Sequence, residues 1–166
     1  GCAVLLPDYR LAPEHPFPAA LEACLAQADA PSARHAFIRR FDGQARAAAR
    51  ASDATPGAAP LAGLAVSVKD LFDVQGQPTT AGSASMAEAA PALRDAAAVA
   101  RLRRAGAVLI GHTNLTEFAY SGVGINPHHG TPANAATAAL DALPRIPGGS
   151  TSGYLVPGAE LTAKYG

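Results

Sequence analysis

The hydrophobic and polar positions in the first third of the chain follow helical spacing. After a short strand-like run and a proline-rich turn, good helix formers with apolar spacing predict a helix over Ala20–Ala28. A second helix is predicted over Ser32–Ser52, where three apolar side chains would share one face: Phe37, Ile38 and Phe41. The next stretch, 53–60, is rich in Pro, Gly and Ala, and we interpret it as a linker.

The middle of the chain predicts a different layout, with two all-apolar stretches that we interpret as buried strands. These are Leu61–Val68 and Ala107–Ile110. Between them the pattern predicts a helix over Asp95–Ala105, with its first residue as N-cap and Gly106 as its C-terminal stop. Strand, crossover and strand form a parallel unit. The predicted fold class is therefore α/β, with a parallel or mixed sheet covered by helices.

Candidate chemistry lies at the ends of these strands. Lys69 directly follows the first apolar strand, and a short helix predicted over Asn114–Tyr120 follows the second. Beyond it the chain becomes rich in glycine, proline and asparagine, as far as "RIPGGSTSG". Loops at the ends of parallel strands are where α/β proteins usually build their sites. We therefore expect the lysine and the glycine-serine run to meet.

Composition limits the classes of partner. With 49% hydrophobic and 16% charged residues, the 166-residue chain is expected to form one globular domain. Thirteen basic residues balance thirteen acidic ones, so attraction to nucleic acid or to anionic lipid is not indicated, and a small-molecule partner is favoured. No apolar run approaches the roughly 18 residues of a membrane span, and a cytoplasmic location is the default expectation. Oligomeric state is left open.

Cysteines and histidines give no sign of a metal or redox site. Cys2 and Cys24 have neither metal-ligand nor redox spacing, and we expect buried, reduced thiols. His112 and the pair His128-His129 also lack metal-ligand spacing, so we interpret them as sheet-edge or loop histidines. No metal and no cofactor is predicted.

Three segments, in this order, resemble the amidase signature family of serine hydrolases. They are "PLAGLAVSVKDLFDVQGQPTTAGS", "DAAAVARLRRAGAVLIGHTNLTEFAYSGVGINPHHGTPANA" and "PGGSTSG", and the resemblance covers about Ala20–Gly153. It implies a Ser-cisSer-Lys triad, in which Lys69 matches the lysine and Ser150 the bridging serine. Because burial at a strand end disfavours an ammonium, Lys69 would draw a proton through the Ser150 hydroxyl from the nucleophile.

The same resemblance implies hydrolysis of a carbon-nitrogen amide bond in a small substrate, through an acyl-enzyme. Phe118 and Tyr120 would then lie near the acyl pocket. The family's nucleophilic serine follows a threonine-aspartate and glycine-glycine pattern, and no residue of 154–166 matches it. We therefore expect the nucleophile to be missing from these 166 residues, and a non-catalytic remnant is the alternative interpretation.

The beginning of the chain resembles a second family. "DYRLAPEHPFPAALEAC" is similar to a segment of hormone-sensitive-lipase-type esterases, although the chain has no G-x-S-x-G nucleophile elbow. An esterase-type α/β-hydrolase fragment is therefore a further alternative. The predicted division is an esterase-like leader at 1–22, the N-terminal part of an amidase signature domain at 23–153, and an unassigned tail at 154–166.

Overall fold

A computed structural model of the chain describes residues 2–4, 17–54, 59–134, 137, 140 and 143–148. Its regular elements, in chain order, are β1 (Cys2–Val4), α1 (Phe17–Asp29), β2 (Phe37–Arg40), α2 (Asp42–Asp53), β3 (Ala65–Lys69), α3 (Ala97–Arg104) and β4 (Val108–Thr113). Three short 3-10 turns accompany them, at Pro31–Ala33, Ala84–Met86 and Glu117–Ala119.

The four strands form one mixed sheet in the order β1-β3-β4-β2. The central pair, β3 and β4, is parallel, and the connection between the two strands contains α3. Both outer strands are antiparallel to their neighbours. Every residue of β3 and β4 is buried, as expected of parallel strands covered on both faces. The predicted α/β class and the predicted parallel unit are confirmed.

Each face of the sheet packs against a separate hydrophobic cluster. On one face, side chains of α1 and α2 pack against Ala65, Val108 and Ile110 of the central strands. On the other face, Val66 and Val68 pack with apolar residues of α3 and of the loops, among them Phe41, Val74 and Val99. The helix α1 confirms the helix predicted over Ala20–Ala28 and extends slightly further at both ends.

The single helix predicted over Ser32–Ser52 is wrong. The segment contains a 3-10 turn, the edge strand β2 and only then the helix α2. The spacing of Phe37, Ile38 and Phe41 suits a helix, but β2 instead pairs with β4, which is more than seventy residues away along the chain. The register runs from Phe37↔Thr113 to Arg40↔Gly111. Pairing with a distant strand overrides the local spacing.

Two helix ends also differ from their predictions. Asp95 does not cap α3, which begins at Ala97 with Ala96 in the N-cap position. Its carboxylate instead accepts from the Gln75 N–H at 2.7 Å and pairs with the Arg103 guanidinium at 2.9 Å. At its other end α3 stops as predicted, because Gly106 follows it with φ +92°, a conformation common just after a helix. The helix predicted over Asn114–Tyr120 is only the three-residue turn Glu117–Ala119.

A β-bulge in β4 changes which side chains face each cluster. The parallel register runs Val66↔Leu109 and then Ser67↔Gly111, so one extra residue, Ile110, is accommodated in β4. Because of the bulge, His112 lies opposite Val68 and not on the same face of the sheet as Ile110. Its ring contacts Phe41 edge-on, with the centroids 5.1 Å apart. The bulge therefore brings His112 to the face where Asp70 lies.

Candidate active site

Lys69 is a buried lysine at the carboxyl end of β3. It pairs in register with Thr113 at the end of β4, and its relative exposure is 6%. Burial lowers the pKa of Lys69 below its ordinary value, because an ammonium loses hydration there. A strand-end lysine would ordinarily reach into water. This one has the setting in which a neutral amine can accept a proton.

Ser150, the other predicted member of the triad, lies outside the described residues, and so do the residues that follow it. The predicted contact between Lys69 and Ser150 therefore stays a prediction. The described part of the chain leading to Ser150 ends at Gly148, which has φ +94°. Its left-handed conformation is one that glycine adopts readily.

Phe118 and Tyr120, the predicted acyl-pocket residues, lie on and next to the turn Glu117–Ala119. Phe118 is 52% exposed and Tyr120 94% exposed. The Phe118 N–H donates to the carbonyl oxygen of Ala81 at 2.8 Å, which joins this turn to the loop that follows Lys69. Their role in substrate binding stays a prediction.

Asp70, next to Lys69, holds the loop that follows β3, although no sequence pattern singles it out. Its buried carboxylate accepts from the Thr80 N–H at 3.2 Å, from the Thr80 hydroxyl and from the Gly82 N–H at 3.1 Å. Its backbone carbonyl accepts from the Ala81 N–H at 2.9 Å. One aspartate thus folds the chain back from residue 70 to residue 82.

His112 is the second residue that the sequence interpretation misjudged. It lies on β4, an interior strand, so the expectation of a sheet-edge or loop position is wrong, and the side chain is fully buried. Its Nδ1 lies 3.1 Å from Asp70 Oδ1, and its Nε2 lies 3.2 Å from the Phe72 carbonyl oxygen. Burial alone would raise the pKa of Asp70, but the contacts with His112, Thr80 and Gly82 lower it below its ordinary value.

Two asparagines connect the end of β4 to the glycine-rich segment beyond it. The Asn126 amide donates to the carbonyl oxygens of Gly82 at 2.8 Å and of Leu115 at 2.7 Å. The Asn114 amide donates to the carbonyl oxygens of His35 at 2.9 Å and of Gly130 at 2.8 Å. Because both asparagines are buried, these bonds form in a low-dielectric environment that strengthens them.

A polar cluster on the exposed side links the same two segments. The buried Ser83 hydroxyl donates to Glu117 Oε1 at 2.5 Å, and His128 Nε2 lies 3.3 Å from the same oxygen. The Ser83 hydrogen bond, aided by His128, lowers the pKa of Glu117. This turn, which carries Phe118, is therefore fixed by both backbone and side-chain contacts.

The residues described include no group of three or more His, Cys, Asp or Glu side chains placed to hold a metal ion. Cys24 is buried and unbridged, as expected, and burial raises the pKa of its thiol to about 11. Within the same residues, no helix combines the length and the apolar character that crossing a membrane requires.

Comparison with known proteins identifies relatives over most of the chain. The family model described as Amidase matches residues 19–156. The chain is 43% identical over 135 residues to 2-amino-5-chloromuconic acid deaminase of Comamonas testosteroni, covering 75% of this chain and 28% of that protein. It is 42% identical over 133 residues to 1-carboxybiuret hydrolase subunit AtzE of Pseudomonas sp. (strain ADP), covering 78% and 27% respectively.

A solved structure gives the same assignment for the fold. It belongs to a vestigial protein complex described as revealing the evolutionary origins of an s-triazine catabolic enzyme. It matches with a TM-score of 0.76 and 39% identity, over 84% of this chain and 31% of that chain. The chain thus spans less than a third of the length of the proteins it matches. The range that the family model matches, 19–156, includes Lys69 and Asp70.

Proposed function

The chain belongs to the amidase family, and on that premise we propose that it contributes the base and the relay serine of a site that hydrolyses carbon-nitrogen bonds in small amides. The observation that carries the proposal is the burial of Lys69 at the end of β3, together with its lowered pKa. A lysine in that state can be neutral at a pH where an exposed lysine is charged.

In the proposed mechanism the neutral Lys69 amine takes the proton of the Ser150 hydroxyl, while Ser150 takes the proton of a nucleophilic hydroxyl. The resulting alkoxide bonds to the amide carbon. The carbon-nitrogen bond then breaks, and the proton returns through Ser150 to the leaving nitrogen. Water hydrolyses the acyl-enzyme by the same route. Phe118 and Tyr120 are proposed to line the acyl side of the site.

The nucleophile is proposed to come from sequence outside these 166 residues. The family's threonine-aspartate and glycine-glycine-serine pattern does not occur in them. On this account the 166 residues supply the base and relay but form no acyl-enzyme alone. The division at residues 22 and 153 and the cytoplasmic location belong to the same proposal. The proposal includes one kind of partner, a small amide substrate.

A chimera tests whether Lys69 can act as such a base. Residues 19–156 of this chain would replace the aligned segment of the Comamonas testosteroni deaminase, and turnover of that enzyme's own substrate would be measured. We expect turnover that falls by about 10⁴-fold or more on Lys69→Ala or Ser150→Ala. Arg39→Ala, an edge-strand change away from the strand end that carries Lys69, is the matched control and should retain turnover.

A folded chimera whose turnover is insensitive to Lys69→Ala would refute the proposed role. The second arm uses the 166-residue chain itself with a fluorophosphonate probe. No labelling is expected. Labelling that disappears on Lys69→Ala would show that the chain contains its own nucleophile, and the external-nucleophile part of the proposal would be abandoned.

A further inference from the structure

The buried carboxylate next to Lys69 creates an electrostatic problem for a base. Lys69 and Asp70 are adjacent in the chain, and both are buried. A carboxylate within about 4–6 Å of an amine favours the ammonium and raises the pKa of the amine, by about 1–3 units for a close pair. A lysine that must be neutral would lose its function if that carboxylate acted on it at full strength.

The structure directs the Asp70 carboxylate to other partners. His112 Nδ1 lies against Oδ1, while the Thr80 hydroxyl and the Gly82 N–H donate to Oδ2. The Thr80 N–H lies 3.2 Å from both oxygens. The Thr80 and Gly82 donors stabilise the charged carboxylate in this position. Burial lowers the pKa of Lys69.

His112 is itself held in this orientation. Its Nε2 lies 3.2 Å from the Phe72 carbonyl oxygen, and Phe41 packs against its ring. The bulge at Ile110 is what turns His112 to the face of Asp70. Three separate features of the fold, namely the bulge, the ring contact and the Phe72 carbonyl, thus place one imidazole against one carboxylate.

We propose that Asp70, held by His112 and Thr80, is a positioning residue for Lys69: it fixes the loop after β3 against the strand end while its charge is directed away from the lysine. This inference rests on the proposed function, in which Lys69 is the base. Asp70 and His112 act through Lys69 and are assigned no contact with substrate.

The composition of the chain makes the test direct. It contains only two lysines, Lys69 and Lys164. In a 166-residue Lys164→Arg parent with carbon-13 lysine, the one side-chain lysine signal belongs to Lys69. Its shift against pH gives a titration midpoint without requiring catalysis. Circular dichroism of each variant establishes that the fold is retained.

His112→Gln removes the imidazole from Asp70, while a glutamine nitrogen can still reach the Phe72 carbonyl. We expect the Lys69 midpoint to rise by about 1 pH unit. Thr80→Val keeps the shape of the side chain but removes the hydroxyl, and should raise the midpoint by a smaller amount. Thr79→Val is the matched control: the Thr79 hydroxyl donates to Asp73 at 2.8 Å in the same loop, and its loss should leave the midpoint unchanged.

A double-mutant cycle separates this role from general loosening of the structure. In an Asp70→Asn background there is no carboxylate charge to redirect, so His112→Gln should no longer raise the midpoint. A rise of equal size in both backgrounds would overturn the proposal, as would midpoints in His112→Gln and Thr80→Val that match the parent. If His112→Gln does not fold, the comparison of Thr80→Val with Thr79→Val decides alone.

The outcome is distinguishable from failure of the proposed function. The amidase proposal concerns turnover in the chimera and the midpoint of the parent chain. The positioning proposal concerns only the differences in midpoint among variants. A parent whose Lys69 titrates at an ordinary value would refute the base, whereas an unchanged midpoint in the variants would refute the positioning pair.

Discussion

The Phe118 N–H donates to the carbonyl oxygen of Ala81 at 2.8 Å, and both residues have left-handed backbone conformations. Ala81 has φ +52° and Phe118 φ +53°, and Ala119, next in the chain, has φ +54°. Residues other than glycine rarely adopt this region of backbone conformation. Three such residues at one contact place backbone strain where the loop after Lys69 meets the turn carrying Phe118. Strain of this kind is often found at functional sites.

Replacing a strained alanine with glycine should stabilise the chain. Ala81→Gly removes a left-handed conformation that costs about 1–2 kcal/mol, while glycine adds about 0.5–1 kcal/mol of entropy loss on folding. We expect a net gain in the free energy of unfolding of up to about 1.5 kcal/mol, measured by urea denaturation. Ala47→Gly, at an exposed helical position in α2, is the matched control and should lose about 1 kcal/mol. Equal losses at both positions would contradict the assigned backbone conformation.

The glycine at the β4 bulge should not tolerate a methyl group. A Cβ on Gly111 would clash with the Arg39 carbonyl oxygen and lie 2.9 Å from a Phe37 ring carbon. Gly111→Ala is therefore expected to cost about 1–3 kcal/mol or more of unfolding free energy, since backbone as well as side chain must move. Gly43→Ala in α2 meets nothing within 4 Å and should be neutral or stabilising. A neutral Gly111→Ala would show that β2 does not pack here.

The sheet around Gly111 illustrates what the sequence could and could not predict. The apolar stretches around Val66 and Leu109 predicted the parallel pair, because a strand buried on both faces has an apolar pattern of its own. The strand β2 was predicted as helix, because the spacing of Phe37, Ile38 and Phe41 contains no information about a partner strand far away in the chain. His112 was misjudged for the same kind of reason, since a bulge at Ile110 changes its face.

The site itself was predictable only where a motif named its residues. Lys69 was identified from the resemblance, and its burial confirms the expected environment. Asp70, Asn114 and Asn126 were missed, because an aspartate or asparagine beside a turn is ordinarily a solvated turn residue. Their hydrogen bonds join segments up to 79 residues apart, and no local pattern indicates them. The roles of Ser150, Phe118 and Tyr120 stay predictions.

The acid side of the stability profile should depend on Asp70. Its pKa is lowered from 3.8, so its contribution is complete above that value and is lost as the pH falls through the lower native value. Asp70→Asn should lose about 3 kcal/mol of unfolding free energy at pH 7 and show a flatter decline in acid. Asp73→Asn, in the same loop but exposed, should lose less than about 0.5 kcal/mol and keep the parent's decline. Identical acid profiles for all three chains would contradict the assignment of a lowered pKa to the buried Asp70 carboxylate.

The buried thiol gives a prediction about reactivity. With the pKa of Cys24 raised to about 11 from 9.0, its thiolate fraction near pH 8 should be about 100-fold below that of an ordinary cysteine. In a Cys2→Ser chain, which leaves Cys24 as the sole thiol, alkylation should be at least that much slower in the native state than in urea. Comparable rates in the two states would mean that α1 does not pack Cys24 against α2 and the sheet as described.

Lys69 can act as a base only if the fold buries it with a lowered pKa, and its own titration measures this. In the Lys164→Arg chain with carbon-13 lysine, the Lys69 signal is followed from neutral to alkaline pH, with the urea-unfolded chain as reference. We expect a native midpoint below the ordinary 10.5 and below that of the unfolded chain. A native midpoint at or above the unfolded one would show an ordinary or ion-paired lysine, and would contradict the role of Lys69 as a base.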